Sequence, residues 1–297
     1  MAMPASRACL PMSDASGWSL ILHGGAKEIS PEEQDAHREG LAQALDAGIQ
    51  ILSRGGSALD AVEAAVRVLE DVPVFNAGIG AVKNRRGEIE LDGAIMDGAT
   101  LDIGAVAVLK GFRHPVSVAR AMLREKQVLL AGAGAVEFAR TVDAERFGSQ
   151  TAERSKTNAS DTVGCLARDV NGNLAVASSS GGLEGSEPGR VGDVCMPGCG
   201  FYADNQRGAV AMSGEGESAA RMMSAGEALR MMRGRPVQVA AECALKEIDR
   251  VGGEMGIIAM TTAGEIGWAH TSPHFAVACA TRAEPKGRIF LSRDELQ

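Results

Sequence analysis

Aromatic side chains are scarce in this chain: seven Phe, two Trp and one Tyr make up 3% of 297 residues. Large rings therefore cannot build the core, which must come from Ala, Val, Leu, Ile and Met, residues suited to layers that pack closely together. Basic blocks are missing as well. The formal net charge is −8, and no Lys/Arg run interleaves with aromatics, so a contact with nucleic-acid phosphates would begin from repulsion. No stretch approaches the roughly 18 apolar residues of a transmembrane helix, and the opening "MAMPASRACLPMSDASGW" has no apolar signal-peptide core. These absences exclude a nucleic-acid or membrane partner and point to a cytoplasmic enzyme of small molecules or peptides.

Disulfides are not expected either. Six cysteines (Cys9, Cys165, Cys195, Cys199, Cys243, Cys279) lie scattered, the usage of reduced, buried thiols. Cys195-x3-Cys199 and His270-x3-His274 have the outward form of a zinc set. The pairs are far apart in the chain and interrupted by Pro197 and Pro273, so they read as thiols and surface imidazoles.

Glycine, by contrast, is abundant. The 37 glycines exceed the roughly 7% of average usage and imply many turns and close backbone approaches. "WSLILHGGA" (18–26) reads as a strand. Helices are expected over Pro31–Ser53, over Ser57–Leu69 with Ser57 and Asp60 as a capping pair, and over Pro115–Lys126 and Val136–Arg140. "GAGAVE" (132–137) lacks the third glycine of a dinucleotide loop and reads as a turn before a helix. The polar, aperiodic text from 141 to 161 reads as a linker. A hairpin turning at Asn171-Gly172 follows, then further strands, and helices over Glu217–Arg233 and Val237–Val251. Strands and helices arrive in blocks, so antiparallel sheets with helices on their outer faces are expected rather than a Rossmann fold.

The chemistry-bearing text begins at Thr162, where the aperiodic run ends. "TVG" is followed by "SSSGG" ending at Gly182, "PGRVGD" (188–193) and "SGEGE" (213–217). Each alone reads as turn or solvated ion pair. Taken with "HGGA" (23–26) and "FNAGIGAV…DGAIMDG" (75–98), the succession resembles the plant-type asparaginase or isoaspartyl peptidase family of N-terminal-nucleophile hydrolases, over nearly the whole chain. The resemblance implies an α+β fold, a single four-layer αββα sandwich over 1–297. It also implies self-cleavage between Asp161 and Thr162, leaving an α chain of 1–161 and a β chain of 162–297.

The same resemblance assigns roles. Thr162 is the nucleophile, its freed α-amino group the base, with an ordinary pKa of roughly 8. Ser180 bonds the nucleophile; Ser213 with the N–H of Gly214 forms the oxyanion hole. Arg190 clamps the substrate α-carboxylate, Asp193 and the backbone from Gly214 to Gly216 hold the α-amino group, and Asn76 lines the nucleophile's side. His23 is structural. No organic cofactor is implied; a structural sodium ion is, held by carbonyls of Leu69, Glu70, Val72, Phe75, Ala77 and Ile79. Mature members are dimers of processed αβ heterodimers. Serine stands at 180 and 213 where threonine is common, Glu215 occupies a variable position, and Lys27 and Glu28 replace common glycine. These departures keep open a glycosylasparaginase-like or threonine-aspartase-like activity beside hydrolysis of isoaspartyl dipeptides and asparagine, and an unprocessed amino-acid-binding relative as well.

Overall fold

The computed structural model describes residues 17–147 and 162–296. In chain order its elements are β1 (Ser19–Lys27), α1 (Gln34–Ser53), α2 (Ala58–Asp71), β2 (Leu91–Asp97), β3 (Ile103–Leu109), α3 (Pro115–Met122), β4 (Leu129–Ala131) and α4 (Ala133–Thr141). After the undescribed segment come β5 (Thr162–Arg168), β6 (Leu174–Ser180), β7 (Phe201–Asp204), β8 (Gly208–Gly214), α5 (Gly216–Met222), α6 (Ser224–Met231) and α7 (Val237–Ile248). The last strands are β9 (Met255–Met260), β10 (Ile266–His270), β11 (His274–Thr281) and β12 (Glu284–Phe290).

The strands form an eight-stranded sheet, β12-β11-β1-β5-β6-β2-β3-β4, and a four-stranded sheet, β10-β9-β8-β7. Pairing is antiparallel except between β3 and β4, which run parallel because α3 carries the chain back across the sheet. Successive strand residues face opposite ways, and that alternation sorts the apolar side chains into layers. On β1, Leu20 and Leu22 pack with α1 and α2, whereas Ile21 joins a cluster between the sheets. On β8, Ala209 and Ala211 face that same inter-sheet cluster, while Val210 and Met212 pack under α6 and α7. Both faces of both sheets are covered, giving the four-layer αββα sandwich. Alanines on the inner faces let the sheets approach closely, and three rings meet between them, with Trp268 lying 6.2 Å from Phe275 and 5.7 Å from Phe290. Each fully buried Leu or Ile here contributes about 1.5–3 kcal/mol.

Local signals place most boundaries. Ser57 caps α2 by accepting from Asp60 N–H at 3.1 Å, and its hydroxyl donates to the Asp60 carboxylate at 2.6 Å. The β5–β6 hairpin turns at Asn171-Gly172, with Gly172 at φ +84°. Several expectations change. The helices expected to run to Lys126 and Val251 stop at Met122 and Ile248. The helix expected over Glu217–Arg233 is two helices, broken at Met223, whose left-handed φ of +49° no helix interior accepts. The helix expected at Val136 starts three residues earlier, directly after the Gly132 turn. The text from 141 is still packed as far as Phe147: Phe112 pairs with Arg146, Phe147 N–H donates to Gly111, and Glu145 meets Arg113. Its charges are those of a linker, but Glu145 pairs with Arg113 and with Arg67 on α2, and Arg146 lies over the Phe112 ring. The remainder, including Asp161, lies outside the described residues.

Candidate active site

Three adjacent strands of the large sheet end in polar residues at one level. Thr162 opens β5 opposite Ser180, the last residue of β6, and Ser180 is in turn opposite Asp92 on β2. Directly opposed residues share a face, and the alternation places all three toward the gap between the sheets, in line with Leu166, Val176 and Ala94 of the inter-sheet cluster. All three are buried. Across the gap stands Ser213 near the end of β8, on the same side as Ala209 and Ala211. The apolar core between the sheets thus closes, at one end, in hydroxyls and a carboxylate.

Ser213 ties this end together. Its hydroxyl accepts Ala26 N–H at 3.1 Å, accepts Thr162 N–H at 3.4 Å and donates to the Thr162 carbonyl at 3.3 Å. The threonine expected to react is therefore gripped at its backbone by the serine expected beside it. Ser180 accepts Gly182 N–H at 3.1 Å. Asn76 holds the same turn from the other side: its amide donates to Gly182 C=O at 2.7 Å, its Oδ1 accepts Val82 N–H at 3.0 Å, and its carbonyl accepts Gly181 N–H at 2.7 Å. His23 lies across β5 beside the nucleophile, and Gly164 in "TVG" is the residue that makes room, since a Cβ there would come 2.4 Å from Nε2. Desolvation drives His23 down to about 3, opposed by its contact with the Thr162 backbone, so it is neutral.

The loop after "SSSGG" brings charge. Arg190 forks onto Glu217, with Nε to Oε1 at 2.9 Å and Nη2 to Oε2 at 2.8 Å. Its hydrogen bond holds the Glu217 carboxyl below the usual range. Asp193 is buried, and its Oδ2 has no hydrogen-bond partner among the described residues. Burial pushes it up to about 7 against the opposing field of Arg190. Gly216, the first residue of α5, fits against this carboxylate, for a Cβ there would lie 2.8 Å from Oδ1 and 3.4 Å from Arg190 Nη2. Gly214 ends β8 at φ +125° and lines the cleft. That cleft, of about 1320 Å³, is walled by Ala26, Lys27, Arg190, Gly214, Glu215 and Glu217 among others.

Two residues at the site were missed by the sequence reading. Glu217 was absorbed into an expected helix, although it closes the "SGEGE" motif itself. Asp92 was passed over inside "LDGAIMDG". Burial pushes its carboxyl up to about 6, opposed by N–H groups of Val108 and Gly192 and by Arg190.

The loop implied to hold sodium follows α2. Carbonyls of Leu69, Val72, Phe75 and Ala77 accept N–H groups from within the loop, at 3.4, 3.2, 2.9 and 3.1 Å. At Gly78, φ +52°, a Cβ would fall 2.3 Å from the Glu70 carbonyl, and at Gly80 one would fall 2.1 Å from that of Phe75. Neutral carbonyls crowd a fold that only glycine admits, and this donor set fits a hard monovalent cation. The Glu70 side chain is engaged elsewhere, with His114 Nδ1 at 3.0 Å and Val116 N–H at 3.1 Å.

A sandwich of two facing sheets between layers of helices, with a threonine heading an inner strand among hydroxyls, an arginine and a buried aspartate, has the architecture of the N-terminal-nucleophile hydrolases. A family model described as asparaginase matches residues 16–158 and 144–288, and the chain belongs to that family. It is 39% identical over 267 residues to an isoaspartyl peptidase/L-asparaginase of Xenopus laevis, covering 83% of this chain and 86% of that one. A Bos taurus protein of the same name is 38% identical over 284 residues, 87% and 92% of the two chains. An isoaspartyl peptidase of Salmonella typhimurium is 36% identical over 281 residues, 83% and 90%.

Proposed function

We propose that the protein is a self-processing hydrolase of β-aspartyl amide bonds, acting on isoaspartyl dipeptides and, as a smaller substrate, L-asparagine. The observation that carries this reading is the grip of Ser213 on both backbone groups of Thr162 at the head of β5. In the precursor, the Thr162 hydroxyl attacks the carbonyl of Asp161. The peptide C–N bond breaks as the C–O ester forms, and water hydrolyses the ester, leaving a carboxylate on Asp161 and a free amine on Thr162.

Base and nucleophile then sit on one residue. The amine takes the hydroxyl proton as Thr162 Oγ attacks the substrate's β-carbonyl, and the oxyanion that develops is met by Gly214 N–H and by the Ser213 hydroxyl, whose one proton turns to it from the Thr162 carbonyl. Donors so placed are worth about 2.7–4 kcal/mol each. The proton passes to the leaving amine, water resolves the aspartyl ester, and aspartate departs. Arg190, steered by Glu217 on its Nε–Nη2 edge, offers its remaining N–H groups to the α-carboxylate. Asp193, with an open acceptor, takes the α-ammonium. Ser180 bonds the nucleophile, and Asn76 fixes the turn beside it.

The carbonyls of Leu69, Glu70, Val72, Phe75, Ala77 and Ile79 would hold the sodium ion. Bound there, it would stiffen the loop that carries Asn76. Assembly as a dimer of αβ heterodimers and a cytoplasmic location complete the proposal.

The test is aspartate release from β-aspartyl-leucine, asparagine and a glycosylated asparagine, measured side by side. The dipeptide should be hydrolysed fastest. Preference for the glycosylated substrate would move the protein to the glycosylasparaginase-like branch. Inactivity on all three would leave an amino-acid-binding relative.

A further inference from the structure

Between Leu91 and Gly93 the pairing of β2 with β3 slips: Leu91 faces Leu109, but Gly93 faces Val106, so Ala107 and Val108 together oppose Asp92. This is a β-bulge. Its second residue, Val108, has φ +54°, a region that a β-branched side chain enters only under strain. The rotated Val108 amide is not left open. It donates to Asp92 Oδ1 at 2.9 Å, and Asp92 Oδ2 accepts the amide of Gly192 at 3.4 Å. Gly192 is flanked by Arg190 two residues before it and by Asp193 directly after it, the two groups given to the substrate's charged ends.

We propose that Asp92 is a positioning residue for aspartyl recognition, its carboxylate tying the strained bulge of β3 to the Gly192 amide and so fixing where Arg190 and Asp193 stand. The inference rests on the β-aspartyl reading of the site. A carboxylate is required because two N–H donors converge from different elements and each needs an acceptor oxygen. Asparagine has the same shape but one acceptor, and its NH2 would face a donor. The bulge supplies rigidity: it lies in the interior of a sheet covered on both faces, so the loop hangs from a fixed point. Asp92 also opposes Ser180 across the strand pair, which places the anchor in the same polar row as the nucleophile.

Asp92→Asn tests this in the matured enzyme. Self-cleavage uses neither Arg190 nor Asp193 and should proceed; KM for β-aspartyl-leucine should rise about tenfold, with kcat within about twofold. A role confined to holding the sheet together would lower thermal stability and the yield of mature enzyme while leaving KM where it was. That result overturns the inference. If Asp92→Asn does not accumulate, Gly192 is probed instead, since its φ of −84° suits proline. Gly192→Pro removes the donor and Gly192→Ala keeps it while adding a similar Cβ. A KM several-fold higher for Pro than for Ala supports the tie; equal values overturn it. An inactive wild type overturns the β-aspartyl reading and this inference with it, whereas an active wild type and an unmoved Asp92→Asn overturn this inference alone.

Discussion

Removing the Ser213 hydroxyl is the perturbation whose consequences can be worked furthest. Ser213 is fully buried, and its oxygen serves Ala26 N–H at 3.1 Å and the two backbone groups of Thr162 at 3.3 and 3.4 Å. Ser213→Ala leaves the Ala26 amide without that acceptor in a dry place. An orphaned donor costs about 1–3 kcal/mol, and the longer Thr162 contacts add little, so a loss of about 2 kcal/mol is expected. In a chain of this size that lowers Tm by roughly 3 °C. The effect on chemistry should be larger. The hydroxyl meets the oxyanion, and deletion of one such donor reduces kcat by about 10²–10³. Thermal melts and steady-state kinetics, normalised to the amount of matured chain, give both numbers. Ser213→Thr keeps the hydroxyl and should retain most activity. A Ser213→Ala enzyme with kcat within tenfold of wild type would refute the oxyanion assignment, and an unchanged Tm would refute the energetic argument.

Three further outcomes follow from the same geometry. Arg190→Lys replaces a planar fork by a point charge that cannot serve Glu217 and a substrate carboxylate together; KM should rise about 10- to 100-fold with a smaller change in kcat. Asp193, pushed up to about 7 by burial, is protonated in the free protein below that pH and cannot pair with an ammonium, so product aspartate should bind progressively more weakly as pH falls from 7.5 to 5.5. A flat Kd by calorimetry across that range would contradict the role. The stability sign is opposite: the native state holds a proton that the unfolded chain releases above its ordinary aspartate value near 3.9, so this group favours folding at low pH and that contribution is lost as pH rises toward 7. Replacing sodium by a bulky organic cation should lower Tm, with recovery on adding sodium back; indifference to the exchange would remove the ion from the account.

Much of this architecture was legible along the chain, because some signals are local. The Ser57–Asp60 cap, the Asn171-Gly172 turn and the strand opening at Thr162 each depend on neighbours a few residues away, and each stands where the text placed it. What escaped depends on partners distant in sequence. Glu217 meets Arg190 27 residues away, and Asp92 meets Gly192 100 residues away; no pattern of spacing announces either. The break at Met223 also carries no glycine or proline to mark it. Residues 142–147 read as linker because half of them are charged and most are exposed, and the ion pairs of Glu145 with Arg67 on α2 and with Arg113 before α3 join partners far away in sequence.

The central claim is that the chain is cut between Asp161 and Thr162, which makes Thr162 the N-terminal nucleophile. Intact-mass analysis of the purified protein, with and without Thr162→Ala, tests it directly. Wild type should resolve into two chains, one starting at Thr162 and running to Gln297, and the variant should remain whole. A wild type found only as the 297-residue chain, or a Thr162→Ala protein that still matures, would contradict it.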